Sequence, residues 1–522
     1  MNAELEIIEH DTKNLFTKIN SCGLTGINAY HLEIEVNISG GLPAFILVGL
    51  PDASINESRE RIKTAINASG LNFPNRKIVV NLAPANAKKG GPTYDLAIAA
   101  GILANFEQSV INNKNLEDLF IVGELGLSGK VRPVNGVLSF VIFAKKLGAK
   151  GIIIPLENAG EASLIEGIKI FPVKSLIETI ETINDLTNKS PLQKQINYSK
   201  VDSFNIDFSD VKGQLMGKRA MEISASGGHH LLMTGSPGSG KSMLAQRLIT
   251  ILPPLTYEEK IEATQIYSAA GKLNSEQGLI IHRPFRSPHS SISIAGLIGG
   301  SSTPQPGEIS LAHKGVLFLD ELTEFQKNIL DSLRQSIETK SITISRSKRT
   351  STFPCDFTLI AACNPCPCGY YGDQLKKCVC SPNNIKRYQT KISGPILDRI
   401  DLQIEIKRLN EAELTENKIS ESSLKIKKRV EEARERQLKR YKNLNLRLNS
   451  ELSGKNLASF CKADHKCSIL LKEAIKNLAL SARGYDRLLK VSRTIADLEN
   501  SDIIKDEHIL EALQFRMNTL LK

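Results

Sequence analysis

The sequence predicts an α/β protein in which two mixed α/β domains precede a helical one. Residues 20 to 180 alternate short apolar runs, such as KIVVNLA and KGIIIP, with helical patterns such as YDLAIAAGILANF, which is typical of α/β domains. The alternation resumes past residue 210 around a glycine-rich turn, and from about residue 409 the apolar positions follow a helical period. Three domains suit the 522 residues, which exceed what one hydrophobic core usually serves.

We place the domain boundaries where this pattern changes. The N-terminal α/β domain spans residues 1–185. A polar linker over 186–208 contains Pro191 and shows no sustained periodicity. The central α/β domain then spans 209–408, and the helical domain spans 409–522.

The composition narrows the class of protein. A hydrophobic content of 41% with 24% charged residues is ordinary for a globular domain, and no apolar run reaches the roughly 18 residues of a membrane span. The first residues include several acids and no apolar stretch, so we expect no signal or transit peptide, a cytoplasmic location and no membrane partner. The net charge of +11 suits a polyanion such as nucleic acid, although many basic proteins bind none.

The central domain contains a phosphate-binding loop in the context that this motif requires. An apolar strand leads into GSPGSGKS, and a helix follows. Backbone N–H groups and the helix dipole would face the phosphates of ATP, Lys241 would reach the β and γ phosphates, and the Ser242 hydroxyl would bind Mg²⁺. The alternative is a chance glycine-rich turn. The predicted ATP-binding residues are Gly235, Ser236, Pro237, Gly238, Ser239, Gly240, Lys241 and Ser242.

Two further apolar strands end in polar residues. The run VLFL ends in Asp320 and Glu321, as expected of a buried parallel strand that brings two carboxylates to its C-terminal end. Asp320 would hold Mg²⁺ and Glu321 would polarise the attacking water. The run TLIAAC ends in Asn364, where a sensor of the γ-phosphate belongs. The alternatives are surface acids and an Asn that only caps a strand.

Five of the nine cysteines lie within residues 363–380. Cys366 and Cys368 form one close pair, Cys378 and Cys380 form another, and four thiolates fit one tetrahedral structural Zn²⁺. The one-residue spacing within each pair is less usual than two to four, and free thiols in a reducing compartment are the alternative. We assign Cys355 and Cys363 to the core instead.

Long segments of the chain resemble the AAA+ ATPases of the magnesium-chelatase-like group, and most closely the ComM/YifB-type family. The matching segments include VGLPDASINESRERIKTAI, PGEISLAHKGVLFLDEL, NPCPCG and SGPILDRIDL. The resemblance implies a hexameric ring with ATP bound between subunits. It also implies that Arg399 is the finger that reaches a neighbour's γ-phosphate and that Arg483 is the second sensor, whereas a surface salt bridge is the alternative for each.

Two segments of the central domain are candidate DNA contacts. The β-prone runs SITI and TSTF flank Arg346, Ser347, Lys348 and Arg349, which predicts a hairpin that resembles the pore hairpin of minichromosome maintenance helicases. Its cations could grip a phosphate backbone without reading sequence, unless the turn is simply solvated. The segment before the VLFL strand resembles the family's second pore loop. Its candidate contacts are Arg283, Arg286 and His289.

The N-terminal domain resembles the proteolytic domain of Lon proteases, a fold shared with ribosomal protein S5. Lon uses a Ser–Lys pair, but this sequence has Thr93 and Leu138 at the two positions. Because an apolar side chain cannot act as the base, we expect no proteolysis. A ring-building or DNA-guiding role remains, to which Lys88, Lys89 and Arg132 could contribute.

Three hypotheses about function follow from the sequence. The first is a ring-shaped, ATP-driven helicase or translocase on single-stranded or branched DNA, and the resemblance implies branch migration in natural transformation (competence) or recombination, with recombination proteins as partners. The second is a chelatase-type motor that remodels a partner protein. The third is an ATP-dependent Lon-like protease. Fold resemblance by itself cannot choose among them.

Overall fold

The computed structural model describes most of the chain. Residues 193–203 of the predicted linker, Lys88 and the hairpin residues Ser347 and Lys348 lie outside the described residues. The described residues are 16–50, 53–85, 89–106, 110–192, 204–273, 278–300, 304–346, 349–410, 420–462, 465–478 and 480–516.

The N-terminal domain is built on a seven-stranded sheet with the order β3-β4-β2-β1-β5-β8-β9. The pairs β1–β2 and β2–β4 are antiparallel and the other neighbours are parallel. The strands are β1 (Thr17–Thr25), β2 (Asn28–Ser39), β3 (Ala44–Val48), β4 (Lys77–Ala83), β5 (Leu119–Ile121), the two-stranded β6 (Glu124–Leu125) and β7 (Val131–Arg132), β8 (Gly151–Pro155) and β9 (Lys169–Val173). The helices are α1 (Ala53–Ala68), α2 (Asp95–Phe106), α3 (Val137–Lys146), α4 (Ala159–Ala162) and α5 (Leu176–Asn184).

The central domain has a five-stranded sheet with the order β11-β12-β15-β10-β16, in which all neighbours are parallel. An antiparallel hairpin, β13–β14, stands apart from this sheet. The strands are β10 (Leu231–Thr234), β11 (Phe285–Arg286), β12 (Val316–Leu319), β13 (Ser341–Arg346), β14 (Arg349–Pro354), β15 (Thr358–Cys363) and β16 (Leu402–Glu405). The helices are α6 (Leu215–Gly227), α7 (Lys241–Ile251), α8 (Tyr257–Ala269), α9 (Ile294–Ile298), α10 (Glu308–Leu311), α11 (Lys327–Thr339), α12 (Pro382–Gln389) and α13 (Gly394–Leu397).

The C-terminal domain is helical and closes over the central sheet. Its helices are α14 (Ser423–Arg440), α15 (Gly454–Phe460), α16 (His465–Leu478), α17 (Ala482–Leu498) and α18 (Asp506–Gln514). Short 3-10 turns along the chain are Pro92–Tyr94, Asn113–Asn115, Leu156–Asn158, Phe208–Asp210, Leu322–Glu324 and Asn449–Glu451. The predicted fold class is therefore confirmed. None of the helices in the described ranges has both the length and the apolar character needed to span a bilayer.

One face of the N-terminal domain packs directly on the central domain. Leu138, which occupies the position of the Lon lysine, is fully buried in a cluster with Leu164 and with Leu279 of the central domain. Next to this cluster, Gly136 N donates a hydrogen bond to Ser268 Oγ at 3.1 Å. The buried side chain of Leu138 therefore helps to join the two domains.

We predict that Leu138→Ala lowers the free energy of unfolding by about 3 kcal/mol, because the deletion leaves a cavity in this cluster. Urea denaturation followed by circular dichroism would measure the change. The matched control is Leu127→Ala, since Leu127 is 57% exposed on the same domain. Equal stabilities for the two variants would contradict the structural role of Leu138.

Candidate active site

The polar ends of three parallel strands meet at one edge of the central sheet. The phosphate-binding loop follows β10, Asp320 and Glu321 follow β12, and Asn364 follows β15. Because β10 and β12 both pair with β15 in parallel, their C-terminal ends lie side by side. Ligands of open α/β sheets bind at this edge.

The phosphate-binding loop places Lys241 at its centre. Lys241 Nζ lies 2.6 Å from Gly235 O, 3.0 Å from Ser236 O and 3.4 Å from Asn364 Oδ1. Burial lowers the pKa of this ammonium group. A Cβ atom at Gly235 would lie 2.3 Å from Ile406 O, so only glycine fits there. The structure thus brings together the loop, its lysine and the predicted sensor.

The two predicted magnesium ligands are also adjacent. Ser242 Oγ donates to Asp320 Oδ2 at 2.6 Å, and Glu321 N donates to Asp320 Oδ1 at 2.9 Å. Hydroxyl and carboxylate oxygens are the ligands that Mg²⁺ prefers, so Ser242 and Asp320 fit this ion. Glu321 adopts a left-handed backbone conformation, with φ of 51°. Glu321 is exposed and follows the C-terminal end of β12.

Arg399 lies at the opposite edge of the sheet. It precedes β16, whose first residue, Leu402, pairs with the first residue of β10. Four strand residues separate the two edges by about 13 Å. Arg399 is only 3% exposed, and its Nη2 donates to Glu338 Oε1. Because of this distance, Arg399 does not contact the phosphate-binding loop of its own chain and pairs with Glu338 instead.

Arg483 reaches the same carboxylate from the helical domain. Its Nη2 lies 3.8 Å from Glu338 Oε1, and its side chain is 60% exposed. The sequence motifs identified both arginines but did not identify Glu338, which follows no recognisable pattern. Arg399 and Glu338 line a cavity of about 470 Å³ between the central and helical domains.

The helical domain also holds the loop that carries Arg399. Arg487 Nε lies 3.0 Å from Asp401 Oδ1, and Arg516 Nη1 donates to Ile400 O at 2.8 Å. Burial opposes ionisation of Asp401, but hydrogen bonding from His229 and the charge of Arg487 outweigh it and hold the pKa of this carboxyl below its usual range. The loop position therefore depends on the helical domain.

Four cysteines cluster beside the phosphate-binding loop. The sulfur of Cys366 lies 3.3 Å from that of Cys368 and 3.7 Å from that of Cys378, and all four ligand atoms, including that of Cys380, lie within 4.8 Å of one another. Tetrahedral zinc with bonds of about 2.3 Å needs sulfur atoms about 3.8 Å apart. The donor set and its spacing therefore fit zinc.

The polypeptide around this cluster favours a thiolate at one cysteine and touches the phosphate-binding loop. Backbone N–H groups of Tyr370 and Val379 lower the pKa of the Cys368 thiol to about 6, whereas burial raises the pKa of Cys366 to about 12. A Cβ atom on Gly369, at φ of 84°, would lie 2.6 Å from Pro237 Cδ in the phosphate-binding loop. The cysteine-rich segment is thus in contact with that loop. Burial raises the pKa of Cys355 to about 12 and of Cys363 to about 11, in agreement with core positions.

The predicted hairpin is present, with Arg346 paired to Arg349 across the tip. The two tip residues between them lie outside the described residues, as do the side chains of both arginines. At the base of the hairpin, the turn of the N-terminal domain at Gly26 approaches Thr352 O, where a Cβ atom would lie 3.3 Å away. The N-terminal domain therefore contacts the hairpin.

The structure gives internal partners to Arg283 and Arg286, for which the sequence predicted DNA contacts. Arg283 Nε donates to Pro253 O at 2.6 Å and its Nη2 lies 3.0 Å from Glu259 Oε2, while Arg286 Nε lies 2.5 Å from Glu308 Oε2. The segment is not a free loop at this point, because Phe285–Arg286 forms edge strand β11.

His289, the third candidate DNA contact of this segment, has a partner within its own turn. His289 is exposed, and its Nδ1 lies 2.8 Å from Ser291 Oγ within its own turn.

Thr93 lines a cavity of about 400 Å³ with Tyr30 and Asn135. Among the described residues that line this cavity there is no lysine or histidine. Glu124 also lines the cavity, so what is missing beside Thr93 among the described residues is the lysine of a Ser–Lys pair.

Fold and site together define an AAA+ protein with an ATP-binding phosphate loop. Residues 207–414 match the family model described as magnesium chelatase, subunit ChlI. Residues 34–158 match the model for subunit ChlI of Mg-chelatase, and 420–516 match the model for its C-terminal part.

Full-length relatives share the same organisation. The chain is 43% identical to YifB of Salmonella typhimurium over 493 residues, which cover 94% of this chain and 95% of YifB. It is 40% identical to the competence protein ComM of Haemophilus influenzae over 497 residues, again 94% and 95% of the two chains. It is 30% identical to Lon protease 2 of Bacillus subtilis over 204 residues, or 35% and 36% of the chains. The chain belongs to the ComM/YifB family of magnesium-chelatase-like AAA+ proteins.

Proposed function

We propose that this protein is an ATPase that assembles into a hexameric ring and moves along or separates DNA. The observation that carries the proposal is the division of the ATPase site between two edges of one sheet. Lys241 and the carboxylates lie at one edge and Arg399 at the other. An arginine finger at Arg399 would therefore act on the nucleotide of a neighbouring chain, which supports assembly into a ring.

The residues at the first edge have separable roles in hydrolysis. Lys241 binds the β and γ phosphates, Ser242 and Asp320 hold Mg²⁺, and the ion would neutralise charge on the phosphates. Glu321 orients and polarises the attacking water, and Asn364 contacts the γ-phosphate.

The residues at the second edge act on a neighbour. Arg399 and Arg483 from the adjacent chain stabilise the charge of the transferring phosphoryl group, since a guanidinium positioned there is suited to developing negative charge. Their approach through a common carboxylate, Glu338, favours a joint action of the two arginines on one nucleotide.

DNA is the substrate that the hairpin favours. A two-stranded hairpin with a basic tip can hold a phosphate backbone without sequence preference, and the chain carries a net charge of +11. The relative named as a competence protein supports a role in natural transformation. Within that role we propose helicase or branch-migration activity on single-stranded or branched DNA, together with recombination proteins. Arg283 and Arg286, with their internal partners, are secondary candidates for DNA contact.

A chelatase-type motor that remodels a protein partner is the second candidate function. The observation in its favour is that the family models matching all three domains are named for a magnesium chelatase subunit. This function predicts ATP hydrolysis that does not respond to DNA. A protease is not proposed, because Leu138 is buried and apolar at the position of the base.

Zinc is proposed as a structural ion at Cys366, Cys368, Cys378 and Cys380. The sulfur spacing and the contact of Gly369 with Pro237 support a site that braces the phosphate-binding loop. Since four thiolates would close the coordination sphere, the ion would take no part in catalysis.

We expect the purified protein to separate a labelled forked or three-stranded DNA in the presence of ATP and Mg²⁺. Lys241→Ala removes phosphate binding and Glu321→Gln removes the polarising carboxylate, so each should lower separation at least about 100-fold. Gel separation of the strands measures the activity, with peptide cleavage assayed in parallel. ATP hydrolysis that ignores DNA, without strand separation, would refute the DNA motor and favour protein remodelling.

We expect Lys348→Ala with Arg349→Ala to weaken DNA binding by about tenfold, because two phosphate contacts are lost. Fluorescence anisotropy with a single-stranded oligonucleotide at two salt concentrations would also show a shallower salt dependence. The control is Lys425→Ala with Lys428→Ala on α14, which removes the same charge from the helical domain. If both double variants bind DNA equally well, the hairpin is not the DNA contact.

We expect one zinc ion per chain by atomic emission analysis. Cys366→Ser with Cys368→Ser should lose the ion and unfold at a lower temperature, because two of four ligands are gone. Cys22→Ala, a buried cysteine of the N-terminal domain, should retain zinc. Retention of zinc by the double variant would exclude the four-cysteine site.

A further inference from the structure

Glu338 lies where the two trans-acting arginines meet the root of the hairpin. It is on the last turn of α11, and the first hairpin strand begins at Ser341. We infer that Glu338 couples the nucleotide of a neighbouring chain to the hairpin of its own chain through its ion pairs with Arg399 and Arg483. The inference deepens the proposed function and rests on the ring that it assumes.

Through its contacts, Glu338 competes with a γ-phosphate for Arg399 and Arg483. Both arginines use the same atom, Glu338 Oε1. The side chain of Glu338 is 49% exposed, so the pair can be reached from outside the chain. Arg399 is almost fully buried, and its Nε has no hydrogen-bond partner among the described residues. A γ-phosphate presented by a neighbour would offer these guanidinium groups a more highly charged acceptor than one carboxylate.

The root of the hairpin is held firmly on its other side. Lys340, with a left-handed φ of 52°, places its Nζ 3.0 Å from Asp356 Oδ1 and also contacts Glu451 of the helical domain. Cys355 N donates to Lys340 O at 2.9 Å, which closes the base of the hairpin. Glu338 is therefore joined to the hairpin through a short and well-anchored segment.

Exchange of partners then has a mechanical consequence. When both arginines hold Glu338, the end of α11 is tied to the loop before β16 and to the helical domain. When they hold a neighbour's phosphate, that tie is released and the hairpin root can shift. A shift of the hairpin root that accompanies phosphate binding links the two sites thermodynamically, so DNA on the hairpin in turn changes how well the arginines hold phosphate. Glu338 is thus a positioning residue and takes no part in the chemistry.

The test compares ATP hydrolysis with and without a single-stranded oligonucleotide in three variants of the full chain. Glu338→Gln keeps the shape and removes the charge, so we expect the rate without DNA to rise about fivefold, the stimulation by DNA to disappear, and the KM for ATP to fall because the carboxylate no longer competes for the two arginines. Glu338→Asp keeps the charge and should restore part of the stimulation. Asp331→Asn, an exposed acid two turns earlier on α11, is the matched control.

The outcome that overturns the inference is a DNA stimulation in Glu338→Gln equal to that of the unmodified chain. A loss of stimulation that Glu338→Asp does not restore, with a raised KM, would indicate general damage to the nucleotide site and would also overturn it.

A second measurement separates failure of the inference from failure of the proposed function. Hydrogen–deuterium exchange of residues 341–346 and 349–354 is measured with and without a non-hydrolysable ATP analogue, in the absence of DNA. The inference expects exchange of these strands to change with nucleotide in the unmodified chain and not in Glu338→Gln. This result would stand even if DNA never stimulated hydrolysis. Identical responses in the two chains would overturn the coupling alone, whereas no response in either would overturn the ring and the coupling together.

Discussion

The parallel direction of the five central strands is the constraint on which the rest of this structure depends. The C-terminal ends of these strands lie at the same edge of the sheet. The phosphate loop, the carboxylates and Asn364 are therefore close together there. The same geometry places Arg399, three residues before β16, at the other edge. The phosphate loop and Arg399 are therefore separated by the length of the sheet within one chain.

Buried charge pairs hold the loop that carries Arg399 in place. Asp401 holds Arg487 at 3.0 Å, and the backbone next to it accepts a hydrogen bond from Arg516. Such pairs are expensive to bury and contribute little net stability, but they define one orientation between elements. Here they define how the helical domain packs against the loop that precedes β16. Movement of the helical domain must therefore move Arg399.

Two other contacts connect the nucleotide site to parts of the chain far away in sequence. The cysteine-rich segment touches the phosphate loop through Gly369 and Pro237, where any side chain at residue 369 would collide. The N-terminal domain is joined to the central domain through Leu138, and its turn at Gly26 reaches the hairpin. Leu138, which the resemblance to Lon aligns with a catalytic lysine, is a packing residue in this structure.

The sequence by itself determined the fold class, the phosphate loop, the carboxylate pair, the hairpin and the cysteine pairs. Each of these is a local pattern of strand, turn and helix, so neighbours in sequence are neighbours in space. Only the tertiary structure decided that Arg399 and Glu338, 61 residues apart, share an ion pair. The tertiary structure also decided that the Arg283 side chain bonds the carbonyl of Pro253. The sequence could not show this, because an arginine reads the same whether its guanidinium binds a phosphate or a backbone carbonyl. Long-range packing selects between such partners, and no spacing in the sequence records that selection.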